Sequence, residues 1–251
     1  MVSAKRVLLL VLLLLGFATI TSAPSGASDL TEALKLRDVA KVRSLLAAGA
    51  DANEEVRGDY PLNIAATIGP VEMVTILLEA GAGLEQPGRD GFYPLHNAVI
   101  FGGKDIVALL IQKGAKVDVK EKWGRTPLLS FAATGGSDIE IARMLLAAGA
   151  DPGIVSAKDD DSYAVLHYAA ETGNFKLAEL LIAAKVDVNY RNPDGDAALH
   201  FAIETNHLEI VRALIAHGAD VNMANRRGQS PLFIAGRNPE MQRLLVAAGA
   251  K

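Results

Sequence analysis

Histidine has the widest chemical repertoire of any residue type in this chain, and there are five: His96, His167, His200, His207 and His217. Imidazole binds metals and moves protons near neutral pH. A helical pair of ligands needs two histidines four residues apart on one face. No two stand so, and His96, His167 and His200 fall in separate segments 33 or more residues apart. Asp159-Asp160-Asp161 is a compact acidic run. A calcium loop alternates its ligands and closes with a distant glutamate, so a solvated turn is the expected reading. There is no cysteine nucleophile, and the chain carries no G-x-S-x-G, no phosphate-cradling glycine loop and no H-E-x-x-H. The expectation is that the protein is not an enzyme and has no catalytic residues, cofactor or metal.

The histidines lead to the elements that position them. His96, His167 and His200 occupy one slot of a recurring phrase: Tyr60-Pro61-Leu62-Asn63-Ile64-Ala65, Tyr93-Pro94-Leu95-His96-Asn97-Ala98, Thr126-Pro127-Leu128-Leu129, Ala164-Val165-Leu166-His167, Ala197-Ala198-Leu199-His200 and Ser230-Pro231-Leu232-Phe233. Starts at 60, 93 and 126 are 33 apart, as are those at 164, 197 and 230. A second phrase follows each copy, as Gly81-Ala82, Gly114-Ala115, Gly149-Ala150-Asp151, Lys185-Val186-Asp187, Gly218-Ala219-Asp220 and Gly249-Ala250, and one more, Gly49-Ala50-Asp51, precedes the first copy. A fixed period of this length means one helix pair stacked on copies of itself. Proline suits the first turn of a helix, and the Thr or Ser before it caps the helix. Tyr60, Tyr93, Ala164 and Ala197 stand in that place, so their helices start with poorer caps. Val71, Val74, Leu77 and Leu78, and Ile106, Leu109 and Leu110, recur at helical spacing in the second helix. Gly81, Gly114 and Gly218 sit where the helix end requires positive φ. Lys185 takes that place in one repeat, at an expected cost of about 1 kcal/mol.

These phrases resemble the ankyrin repeat, with its T-P-L-H-x-A and G-A-D-V-N signatures, over roughly residues 29 to 251. The resemblance implies an all-α ankyrin-repeat solenoid of about six to seven helix-turn-helix repeats including caps. It places the repeat domain at 28–251, with an N-terminal cap at 29–53, internal repeats at about 57–225 and a C-terminal cap at 227–251. It also implies that the T-P-L-H histidines are structural, bonded to backbone near the turns. Phe175, Phe201 and Phe233 fall inside the helical pattern and are expected in the core.

Residues 1–27 read as a secretory signal peptide: Lys5 and Arg6, then an apolar run from Val7 to Phe17, then small residues up to Ala27, the expected cleavage point. An uncleaved anchor is the alternative. The run is short for a membrane span, and no second hydrophobic segment follows, so no membrane association is expected after its removal. None of the ten Asn residues begins an N-x-[ST] sequon. Together these favour a bacterial exported protein, periplasmic or else secreted. Net charge is −4, and −6 once Lys5 and Arg6 are gone, with scattered basic residues. Nucleic acid is therefore not an expected partner.

A stack of repeats lacks a natural catalytic cleft but has a long surface for holding a protein. In proteins similar to this one, partners meet the hairpin tips before each T-P-L-H and the outer end of the first helix. By position, those places carry Phe92, Trp123 and Tyr163, with Ile100 and Phe101, rimmed by Arg89, Lys122 and Arg125. Interface hot spots favour Trp, Tyr and Arg, and this group is the expected partner-binding patch. Phe92 and Trp123 packing against neighbouring hairpins is the competing reading. The expected protein is a capped monomer that binds another protein, as accessory factor of a periplasmic enzyme or antagonist of a toxin. The alternatives are a small hydrolase or metal-dependent activity on the 152–161 loop, or an effector delivered to a foreign cell.

Overall fold

Proline sets the starts of the phrase helices at 61, 94, 127 and 231 in the computed structural model, which describes residues 26–156 and 162–251, with side chains for 29–101, 103–156 and 162–251. Pro61, Pro94, Pro127 and Pro231 open α3 (Pro61–Ile68), α5 (Pro94–Asn97), α7 (Pro127–Ala133) and α13 (Pro231–Ala235). There the missing N–H has no helical partner to lose. Thr126 Oγ1 accepts the Leu129 N–H, and Ser230 Oγ that of Phe233, each at 3.3 Å. Tyr60, Tyr93, Ala164 and Ala197 supply no such side-chain cap, as their types predict. Residues 1–25 of the leader expected over 1–27, and the run Asp159-Asp160-Asp161, lie outside the described residues.

The described residues form two compact units, one up to Lys116 and one from Val117 to Lys251. In the first, the first helices of successive repeats are α1 (Gly26–Lys35), α3, and α5 continued by a π turn at Ala98–Gly102. Their second helices are α2 (Val39–Ala47), α4 (Val71–Glu79) and α6 (Lys104–Gln112). In the second unit, α7, α9 (Val165–Thr172), α11 (Ala198–Glu204) and α13 alternate with α8 (Ile139–Ala147), α10 (Phe175–Ala183), α12 (Leu208–Ala216) and α14 (Pro239–Ala247). Within each unit, first helices pack on first helices and second on second, as α1–α3, α2–α4 and α4–α6, and as α7–α9–α11–α13 and α8–α10–α12. No β-strand forms among the described residues, only the isolated bridges Val56–Asp59 and Val155–Ala164.

Burial follows the helical period, with local shifts. Leu34, Leu62, Met73, Leu77, Leu95 and Leu110 fill the first unit, and Leu128, Phe131, Leu145 and Leu177 the second. In α4 the fully buried residues are Met73, Val74 and Leu77, whereas Val71 opens the helix and is 41% exposed. Burying one such Leu contributes roughly 1.5–3 kcal/mol. Phe201 is buried as expected, but Phe233 is 66% exposed and not core. It stands in the histidine slot of its phrase, Ser230-Pro231-Leu232-Phe233.

Asparagines tie repeat to repeat. Asn53 donates from Nδ2 to the Gly81 carbonyl at 2.9 Å and accepts the Gly83 N–H on Oδ1 at 2.7 Å. Asn189 does the same to Gly218 and Asp220, and Asn222 to Gly249 and Lys251. Asp118 holds the corresponding place before Asp151, whose N–H it accepts at 3.2 Å. Burial, helped by the Asp151 charge, pushes the Asp118 carboxyl above its usual value.

Candidate protein-docking surface

Three hairpins in the second unit turn around a buried acceptor five residues before the helix-starting phrase. Glu121 is buried, and its carboxylate accepts the N–H of Trp123 at 3.0 Å and of Arg125 at 2.9 Å. Asn225 Oδ1 accepts from the Arg227 and Gln229 N–H groups, and Asn192 Oδ1 from that of Asp196. The carbonyl of the residue before each phrase then receives the acceptor's own N–H, as in Glu121 to Arg125 and Asn192 to Asp196. Side chains between these anchor points stand on a fixed backbone at the tip.

Trp123 is one of them. It is half-exposed, and the exposed Lys122 lays its Nζ over the indole at 4.0 Å from the ring centre. Ammonium over indole is a favourable cation–π pair. Arg125 is half-buried at the base of the same hairpin. These three expected residues therefore share one loop. Tyr163 joins a ring cluster in the same unit, with its centroid 5.0 Å from Phe201, 5.1 Å from Tyr168 and 5.6 Å from His167. Its ring thus has intramolecular packing partners while staying half-exposed.

In the first unit, Phe92 is half-exposed and its ring lies 5.9 Å from that of His96. Arg89 is exposed on the same loop; its N–H donates to Asp59 Oδ1 at 3.2 Å, and its stem covers Gly58. Ile100 and Phe101 lie in the π turn, closed by the Gly103 N–H to the Ala98 carbonyl at 3.0 Å. Ile100 is half-buried and Phe101 is 41% exposed. Ile68 is exposed to the same degree at the end of α3.

The phrase histidines bind the hairpins down. His167 accepts the Ala164 N–H on Nδ1 at 3.0 Å and donates from Nε2 to the Asp196 carbonyl at 3.2 Å. His200 accepts from Ala197 at 3.0 Å and donates to the Met223 carbonyl at 2.8 Å. Burial, the largest influence, pushes His167 down to about 4 and lowers His200 as well. Both act as the structural groups the resemblance implied. Asn63 fills the slot in α3, donating from Nδ2 to the Phe92 carbonyl at 2.8 Å, while its buried Oδ1 has no partner. His207 precedes α12 against Gly173, and His217 ends that helix on the Ala213 carbonyl.

Sequence reasoning missed the acceptors Glu121, Asn192 and Asn225, although all three stand at the same distance before their phrases. Nor did it foresee the burial of Asp196, the residue before the phrase at Ala197. Asp196 is buried, and its carboxylate accepts from Asn225 Nδ2 at 2.7 Å and Arg227 Nη2 at 3.1 Å. Among the described residues, no three His, Cys, Asp or Glu side chains converge as metal ligands, and no helix is long and apolar enough to cross a membrane.

A profile of ankyrin repeats matches this chain in three copies, over residues 30–121, 114–192 and 166–251. Among solved structures, the crystal structure of the human ASB11 ankyrin repeat domain is similar, with a TM-score of 0.78 and 23% identity. The match covers 88% of this chain and 98% of that one, a likeness in fold. No curated protein matches. Ankyrin repeats are protein-interaction scaffolds, and no catalytic family is indicated.

Proposed function

Because the chain belongs to the ankyrin-repeat family, we propose that it is an exported module that holds a partner protein on its hairpin tips and first-helix ends. The observation that carries the site is Trp123, the chain's single Trp, half-exposed on a tip whose backbone Glu121 fixes. A pre-ordered loop loses little conformational entropy on docking, and Trp and Arg dominate interface energetics. In the second unit the contacts are Trp123, Lys122, Arg125 and Tyr163; in the first they are Phe92, Arg89, Ile100 and Phe101.

The charged and apolar ends of residues 1–27 support export, with removal after Ala27. That cut falls in the first turn of α1 and leaves the buried Leu30, Ala33 and Leu34 in place. The biological role is that of accessory factor to an exported enzyme or antagonist of a toxin. Calorimetric titration of the partner into wild type and Trp123→Ala tests the site. Affinity should fall by about 2 kcal/mol or more, roughly 30-fold, with a smaller loss in thermal stability. Unchanged affinity overturns the assignment of Trp123. Export is tested by sequencing the N-terminus of the protein from its native cells, where Ser28 is expected first and an intact Met1 refutes cleavage.

A further inference from the structure

We infer that the second unit carries an acid-sensitive latch: His167 and His200 lock the hairpins at 187–197 and 220–230 onto the preceding repeats only while both imidazoles are neutral. The hydrogen-bond directions demand it. Nδ1 of His167 faces the Ala164 N–H at 3.0 Å and must accept, so the ring proton sits on Nε2 and goes to the Asp196 carbonyl. His200 repeats this arrangement with Ala197 and Met223. A second proton on either ring would set two donors face to face and leave a cation in a water-poor site. Each ring then loses its hold on its own helix start and, by turning, on the hairpin above.

The two locks are chained through Asp196. Its carbonyl takes the His167 proton donor, its N–H goes to Asn192 at 2.8 Å, and its carboxylate holds Asn225 and Arg227 in the next hairpin. That next hairpin is the one His200 holds. The groups facing His167 are the Tyr163 and Tyr168 cluster from its own repeat, Tyr190, the Phe201 ring, and Asp196 and His200 from the repeat above. Those facing His200 are Asp196, whose charge favours protonation, and Arg191, whose charge opposes it. Burial outweighs the rest for both rings. The slots filled by Asn63, Leu129 and Phe233 cannot answer to pH in this way, and the third slot histidine, His96, lies in the first unit.

The direction follows from proton linkage. An opened hairpin frees His167 to its ordinary value of 6.5, against about 4 when closed. Opening therefore takes up protons, is independent of pH above about pH 7 and is favoured progressively as pH falls toward 4. Between pH 7 and pH 5, His167 alone raises the opening equilibrium by about 20-fold.

Amide hydrogen exchange on the full chain tests this, reading protection factors for the Ala164 and Ala197 amides and the two hairpins at pH 7 and pH 5. Wild type is expected to lose about 20-fold or more protection there. His167→Asn and His200→Asn, singly and together, should abolish their share of the loss, since Asn63 already serves in this slot. Undiminished protection at pH 5, or an equal loss in the folded Asn variants, overturns the latch. Should the variants fail to fold, NMR titration of the wild-type imidazoles decides alone. A His167 ring that stays neutral in the closed state at pH 5 supports the latch, and one that titrates near 6.5 without loss of hairpin protection refutes it.

Discussion

Replacing Lys185 by Gly should stabilise the protein, although it removes a side chain and adds no contact. Lys185 follows α10 with φ of +60°, in the place where Gly81, Gly114 and Gly218 have φ of +85°, +91° and +86°. Its N–H reaches the Ile182 carbonyl at 2.9 Å, and Val186 reaches Leu181 at 3.3 Å; the Gly218 turn makes the same pair at 3.1 and 3.0 Å. The chain thus forces a non-glycine residue into a glycine turn. Left-handed backbone costs an L-residue about 1–2 kcal/mol. Glycine returns about 0.4–1 kcal/mol of that by loosening the unfolded chain. The side chain is exposed and contributes little burial. The net gain for Lys185→Gly is about 0.5–1 kcal/mol, or roughly 2–4 °C in Tm at the upper end for a chain of this size. Gly218→Ala is the mirror experiment. A Cβ there meets nothing within 4 Å, so only the backbone term acts and a loss of about 0.5–1 kcal/mol is expected. Urea unfolding at pH 7 with unchanged m-values reads both. A Lys185→Gly protein no more stable than wild type, beside a Gly218→Ala protein no less stable, would refute the argument.

Three further outcomes follow from the same geometry. Asn63→His gives the Tyr60 N–H an acceptor and removes the unpartnered Oδ1, so stability in urea should rise by about 1 kcal/mol; a fall would mean that the imidazole does not fit beside Gly88. Asp196→Ala strips Asn225 and Arg227 of their buried carboxylate and should cost about 2 kcal/mol in thermal unfolding. The exposed arginine recovers water, which keeps the loss below that of a fully buried pair. Phe233→Ser should change Tm by less than the equivalent of about 0.5 kcal/mol, because the ring is already in solvent; a larger drop would show that it is covered.

The repeat fold was legible because its signals are local and recur: proline at helix starts, apolar residues at helical spacing, glycine at helix ends. Caps were legible residue by residue, down to the contrast between Thr126 and Ala164. Placement of Phe233 was misread because periodicity assigns a side chain to a slot without saying whether a neighbour covers it. The burial of Asp196 was not legible, because it goes with Asn225 and Arg227, 29 and 31 residues away, and no local pattern encodes that pairing. Glu121 and Asn225 were legible in principle through their shared register, but the slot accepts either an amide or a carboxylate, so type alone hides it. For the docking residues, sequence placed Lys122, Trp123 and Arg125 on one tip. It did not foresee that the ammonium would cover the indole or that Tyr163 would have ring partners of its own.

The most direct test of partner binding is affinity capture from the exported fraction of the native cells, with wild type and a Phe92→Ala/Trp123→Ala/Tyr163→Ala variant as parallel baits. The account predicts one protein retained stoichiometrically by the wild type and lost by the folded variant. Retention of the same protein by both would contradict the assigned residues, and retention of nothing by the wild type would contradict the claim that this chain works by holding an exported partner.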